Sequence, residues 1–188
     1  MKAALIVVLV LVVLGLAFGG KYVGIRNDLV TKRESVKASW SQVDVALQRR
    51  ADLIPNLVET VKGFAKHEEK AINDVASARA SLIGAKTPSD KIAANSQLDG
   101  ALGRLLVVVE NYPNLKANEN FLRLQDELAG SENRIAIERR KYNETVQAYN
   151  TQLQLFPDNL VASMSGFQRE DAYFKTEPGA RTAPKVAF

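Results

Sequence analysis

The chain has 188 residues, 46% hydrophobic but only 7% aromatic, and no cysteine, which leaves room for one anchor and one ordinary domain. The missing thiol excludes disulfides, thiolate zinc sites, a cysteine nucleophile and a lipidated N-terminal cysteine. Net charge is +4, yet residues 21–50 hold seven Lys/Arg against three acids and residues 51–188 hold seventeen against eighteen, so the excess flanks the N-terminal segment and nucleic-acid binding is not expected.

Ala3 to Gly20 contains no charged side chain. Eighteen helical residues reach ~27 Å, close to the ~30 Å hydrocarbon core of a bilayer. Lys21 can snorkel, and Tyr22, Val23 and Ile25 extend the apolar reach. A cleaved signal peptide is the competing reading, because Ala17-Phe18-Gly19 resembles a cleavage site. A charged segment reduced to Lys2 and an overlong apolar run favour a retained anchor. Lys21, Arg26, Lys32, Arg33 and Lys37 follow the span, so the positive-inside rule places the C-terminal body in the cytoplasm of a single-pass inner-membrane protein.

After the span, Val36, Trp40, Val43 and Leu47 recur on one helical face up to about Leu53. Pro55 is expected to end or kink that helix, with Asp52 capping the next. A second helix carries Leu57, Val58, Val61, Phe64, Ile72, Val75 and Leu82 to Gly84. A third runs from Pro88 to about Tyr112 with Leu98, Leu102, Leu105 and Val109 inward, before Pro113-Asn114. The fourth, about 118–156, places Phe121, Leu128, Ile135, Tyr142, Tyr149 and Phe156 seven apart, the spacing of a packed helical seam. Leu160, Val161, Met164, Phe167, Tyr173 and Phe174 form an apolar segment expected to fold back.

The expected fold is all-α: an N-terminal transmembrane helix followed by an antiparallel four-helix bundle of long helices. The organisation is a transmembrane anchor over 1–25, a helical bundle over 26–175 and a flexible tail over 176–188. Leu105 to Val109 is apolar nearly all round, so either the bundle centre or a second copy must cover it, and a homo-oligomer is expected.

Several motifs resemble the LemA family: Trp40-Ser-Gln-Val-Asp44, Arg49-Arg-Ala-Asp-Leu-Ile-Pro-Asn-Leu-Val58 and Val61-Lys-Gly-Phe-Ala-Lys-His-Glu68. Further matches are Glu110-Asn-Tyr-Pro-Asn-Leu-Lys-Ala117, Glu132-Asn-Arg-Ile135, Tyr142-Asn-Glu-Thr-Val146 and Tyr149-Asn150. The likeness extends over about residues 20–175 and leaves out the tail. It implies a membrane helix with a bundle of long antiparallel helices. It implies no catalytic residues, and it brings associations with membrane proteases and, in one branch, with magnetosome membrane biogenesis.

Chemistry-bearing patterns are sparse. His67 is the single histidine, and Ala71 stands where a second zinc ligand would be needed, so no metal, cofactor or catalytic set is expected. Nucleophile-elbow and phosphate-loop motifs are missing, and no small-molecule substrate is evident. Asp44, Glu68, Arg79, Arg104 and Glu138 fall on or beside apolar stripes, where charges pair and set register more often than they catalyse. Arg49-Arg50 reads equally as a surface recognition element or as a helix corner beside Pro55. The function expected is a non-enzymatic, membrane-anchored scaffold that self-associates and organises the membrane or partner proteins. A regulator of a membrane protease is the alternative, with an enzyme a third choice.

Overall fold

The computed structural model describes residues 2–65 and 67–174. Six helices occur in it: α1 Lys2–Phe64, α2 Glu69–Gly84, α3 Pro88–Val109, α4 Pro113–Lys116, α5 Glu119–Gln152 and α6 Asp158–Met164. No strand occurs among the described residues, so the chain is all-α as expected. The expected tail over 176–188 lies outside them. Packing divides the chain into two units, residues 40–143 with 172–174 and residues 2–39 with 144–171.

The first unit is a four-helix bundle made from the latter part of α1, α2, α3 and the first part of α5. Side-chain pairs fix the helix directions. Asp44 with Lys91 and Arg50 with Asp99 ascend together, so α1 and α3 are parallel. Arg104 meets Asp74 while Tyr112, just after α3, meets Glu68, just before α2, so α2 runs against α3 and hence against α1, which it touches through Arg79 and Ala51. Arg50 meets Glu132 and Trp40 meets Tyr142, so α5 runs against α1. The order is up-down-up-down. Leu47, Ile54, Leu57, Leu98, Leu105, Phe121 and Ile135 are almost fully buried at its centre. Burying a side chain of this size stabilises by about 1.5–3 kcal/mol.

The helix break expected at Pro55 is absent, and α1 continues to Phe64. Pro55 has no N–H to give to the Ala51 carbonyl, which would leave that oxygen unpaired. Arg79 on α2 donates its Nε–H to this carbonyl at 2.7 Å. Pro55 faces solvent, while Ile54, Leu57, Val58 and Val61 are buried and hold the helix to the core. Asp52 caps nothing and accepts a hydrogen bond from Gln48 at 2.8 Å on the exposed face. The chain turns instead between Phe64 and Glu69.

The expected stop and start around Gly84 is present. Thr87 Oγ1 accepts the Asp90 N–H at 3.1 Å, and Pro88 occupies the first turn, where its missing donor costs nothing. Asn118 caps α5 by accepting the Phe121 N–H at 3.1 Å. That helix stops at Gln152, four residues short of the expected end, and Phe156, the last member of the seven-residue series, is exposed.

In the second unit, Leu29 and Val36 on α1, Val146 and Tyr149 on α5, Leu153 just after it, and Val161 and Ala162 on α6 are buried. The segment after α6 is held by side chains. Tyr149 Oη donates to the Gln168 carbonyl at 2.9 Å. Asn150 accepts the Glu170 N–H at 3.0 Å and donates to the Glu170 carbonyl at 2.6 Å, replacing the pairing a strand would provide. Arg33 lies over the Phe167 ring at 5.2 Å from its centroid, and Tyr22 Oη is 3.0 Å from Ser165 Oγ.

Candidate functional site

The polar interior of the bundle forms around Arg50. On α1 the spacing of four and three that starts at Val36 continues unbroken through Val43, Leu47, Arg50, Ile54, Leu57 and Val61. Arg50 therefore occupies a position meant for an apolar residue, and it is buried. Its Nη1 lies 2.5 Å from Asp99 Oδ1 on α3, 2.7 Å from Glu132 Oε2 on α5, and 3.2 Å from Asn95 Oδ1, to which it donates. The contact with Glu132 Oε2 is ionic, without an aligned hydrogen bond. Asn95, fully buried, donates its Nδ2–H to Asp99 Oδ2 at 2.9 Å. Arg139 completes the group at 3.8 Å from Asp99 and 3.9 Å from Glu132. Two guanidinium groups thus face two carboxylates, and the local charge cancels.

Arg139 also stacks its guanidinium 4.9 Å from the Phe174 ring centroid. That ring packs with Trp40 and Tyr142 at centroid separations of 6.1 and 6.0 Å, and Trp40 meets Tyr142 edge-on at 5.2 Å. Asn143 accepts the Phe174 N–H and donates to its carbonyl at 3.1 and 2.9 Å, repeating the Asn150 device one heptad earlier. Carboxylates so engaged are suited to deciding which helix face meets which, a role that needs fixed partners rather than a mobile proton.

The residues singled out by sequence are dispersed. Asp44 pairs with Lys91, Arg104 with Asp74 at 3.5 Å on the surface, and buried Glu138 with Lys141 at 3.2 Å. Glu68 accepts the Tyr112 hydroxyl at 3.0 Å, and this bond holds the phenol above its usual pKa range, with burial and the Glu68 charge acting in the same direction. Arg79 serves the Ala51 carbonyl. Each finds a partner, but no two of these five pair with each other in the contacts above. His67 is exposed, and no group of three or more His, Asp or Glu side chains gathers among the described residues. The two arginines separate: Arg49 is exposed, while Arg50 is interior and sits within a continuing helix rather than at a corner. Asp99 and Arg139 carry no local signature, but Arg50 stands three after Leu47 on the α1 spacing and Asn95 three before Leu98 on the α3 spacing, so both could be found by extending those repeats.

The N-terminal part of α1 presents the opposite surface chemistry. Side chains from Ala3 to Gly20 are all exposed, with a mean hydropathy of 2.9, and this is the one helix among the described residues long and apolar enough to cross a membrane. Lys21, Arg26, Arg33 and Lys37 follow it on exposed positions. At its end, Phe18, Lys21, Tyr22 and Ile25 form one wall of an apolar cleft of about 230 Å³, and Pro157, Leu160 and Met164 form the other.

Residues 39–188 match the family model described as the LemA family. That match begins later than the motif likeness and takes in the tail that the motifs leave out. The chain is 30% identical over 182 residues to a protein named magnetosome protein MamQ 2 from Paramagnetospirillum magneticum, covering 83% of this chain and 66% of that one. It is 28% identical to magnetosome protein MamQ from Magnetospirillum gryphiswaldense, with the same coverage. Identity to protein LemA from Metamycoplasma hominis is 25% over 142 residues, covering 75% of this chain and 65% of that one. The chain spans just under two thirds of the length of these curated relatives.

Proposed function

Because this chain belongs to the LemA family, we propose that it is a single-pass, membrane-tethered helical scaffold without catalysis of its own, which self-associates and organises proteins or lipid at a cell membrane. The observation that carries this reading is the exposed apolar run of α1 from Ala3 to Gly20. Water would have to solvate an apolar surface far beyond the few hundred Å² a soluble monomer tolerates, and a bilayer removes that cost. The basic residues after the span favour a cytoplasmic body by the positive-inside rule.

Self-association rests on α3. Leu105 and Val109 are buried, but Leu106 is 41% and Val107 70% exposed, so the bundle does not cover this helix on all sides. Tethering in a plane raises local concentration, which makes a small apolar contact effective. The test is crosslinking of the full chain in its native membrane. Parent protein gives dimers and higher species, and Leu106→Asp or Val107→Asp removes them while the helical circular dichroism signal stays. Monomers alone in the parent would end the self-association claim.

A further inference from the structure

Beyond the span itself, we infer that α6 is a second membrane contact: a short interfacial helix that lies in the headgroup region with Phe156, Leu160 and Met164 among the outer acyl-chain segments. Leu160 and Met164 are four apart on one face of the helix, and Phe156 stands just ahead of its first turn. Phe156, Leu160 and Met164 are 81%, 54% and 72% exposed, and Leu155 beside them is 56% exposed. Ala162, about half a turn away on the opposite side, is buried, and so is Val161 at the edge of the outward face. A seven-residue helix thus turns its large apolar side chains outward, the reverse of what water favours.

The place of α6 in the fold decides the occupant. Its cleft is closed by Phe18, Lys21, Tyr22 and Ile25. Counting from Ala3 at 1.5 Å per residue, the ~30 Å hydrocarbon core ends near Tyr22. The apolar face of α6 is therefore continuous with the last turns of the span, at the depth where chain and headgroup meet. Lys21, in the cleft, and exposed Arg26 supply cations for lipid phosphates at that depth. Tyr22 Oη, 3.0 Å from Ser165 Oγ, ties the segment after α6 to the span. An interfacial helix binds in this manner, with an apolar face beneath the headgroups and a polar face above.

The inference rests on the reading that residues 3–20 cross a bilayer, and one experiment separates the two. The chain has no cysteine, so nitroxide labels can be placed singly by Leu160→Cys, Met164→Cys, Asn159→Cys and Leu11→Cys in the full-length protein. In vesicles of phosphatidylethanolamine and phosphatidylglycerol, collision rates with oxygen and with a water-soluble nickel chelate report depth. Labels at 160 and 164 are expected to favour oxygen several-fold over the label at Asn159, and the Leu11 label to favour it most. If 160 and 164 match Asn159 while Leu11 stays in hydrocarbon, the interfacial helix is wrong and the span survives. Low collision with both reagents at 160 and 164, the signature of a covering protein partner, also overturns it. An aqueous Leu11 label overturns both readings.

Discussion

Arg50 occupies a seam position in α1 and holds two helices by charge: its guanidinium reaches Asp99 on α3 and Glu132 on α5. Removing one member of a buried ionic group costs about 3–5 kcal/mol, and here Asp99 and Glu132 would keep the longer contacts to Arg139, which places the loss at the lower end. Arg50→Ala in the full chain is therefore expected to lower stability by about 3 kcal/mol in a denaturant titration. A change below 1 kcal/mol would mean that water already serves the two carboxylates, which are partly exposed. Tyr149 gives a second residue-scale expectation. Burial pushes its phenol above the usual range, with Arg33 opposing and Glu170 adding to the shift. The neutral form is favoured in the fold, so its contribution is complete below the unfolded value of ~10 and is lost as pH rises through the raised folded value. Stability should fall on that alkaline limb, and Tyr149→Phe should flatten it; an unchanged slope in the variant would contradict the assignment.

At the scale of elements, α1 and α5 show what a repeat discloses and what it hides. The seven-residue series on α5 locates Phe121, Ile135, Tyr142 and Tyr149 in the interior, and all four are buried. It fails at Phe156 because the helix has already turned at Gln152, and periodicity carries no stop signal there. Thr87 and Pro88 mark the start of α3 correctly because capping is local chemistry. Pro55 misleads for the converse reason. Its local rule is sound, but the remedy comes from Arg79 on another helix, which no spacing within α1 reveals. Arg50 is legible from the spacing within α1, since it stands three after Leu47 and ahead of Pro55. Asp99 and Arg139 stayed illegible because their partners are distant in sequence. This account of Pro55 can be tested with a double-mutant cycle. Arg79→Met leaves the Ala51 carbonyl unsatisfied and should cost about 1–3 kcal/mol. Pro55→Ala restores an N–H to the same oxygen, so it should recover more stability in the Arg79→Met background than in the parent. Equal gains in both backgrounds would show that the carbonyl finds water.

For the molecule as a whole, the apolar run of α1 and the charge-paired bundle divide the work: one surface asks for lipid, the other is satisfied in water. Composition alone makes the first legible, because eighteen consecutive residues without a charge have few alternatives. The all-α class is legible too, from sparse glycine and proline and from helical spacing. Which chemistry the body performs is not, since the charges on it are spent on helix register and carry no motif. The central claim is that the N-terminal segment is retained and crosses the bilayer. It is tested most directly by washing native membranes with alkaline carbonate and measuring the intact mass of the protein in pellet and supernatant. The expected result is protein confined to the pellet with a mass that includes residues 3–20. Protein released into the wash, or a mass that begins beyond Gly20, would contradict the account.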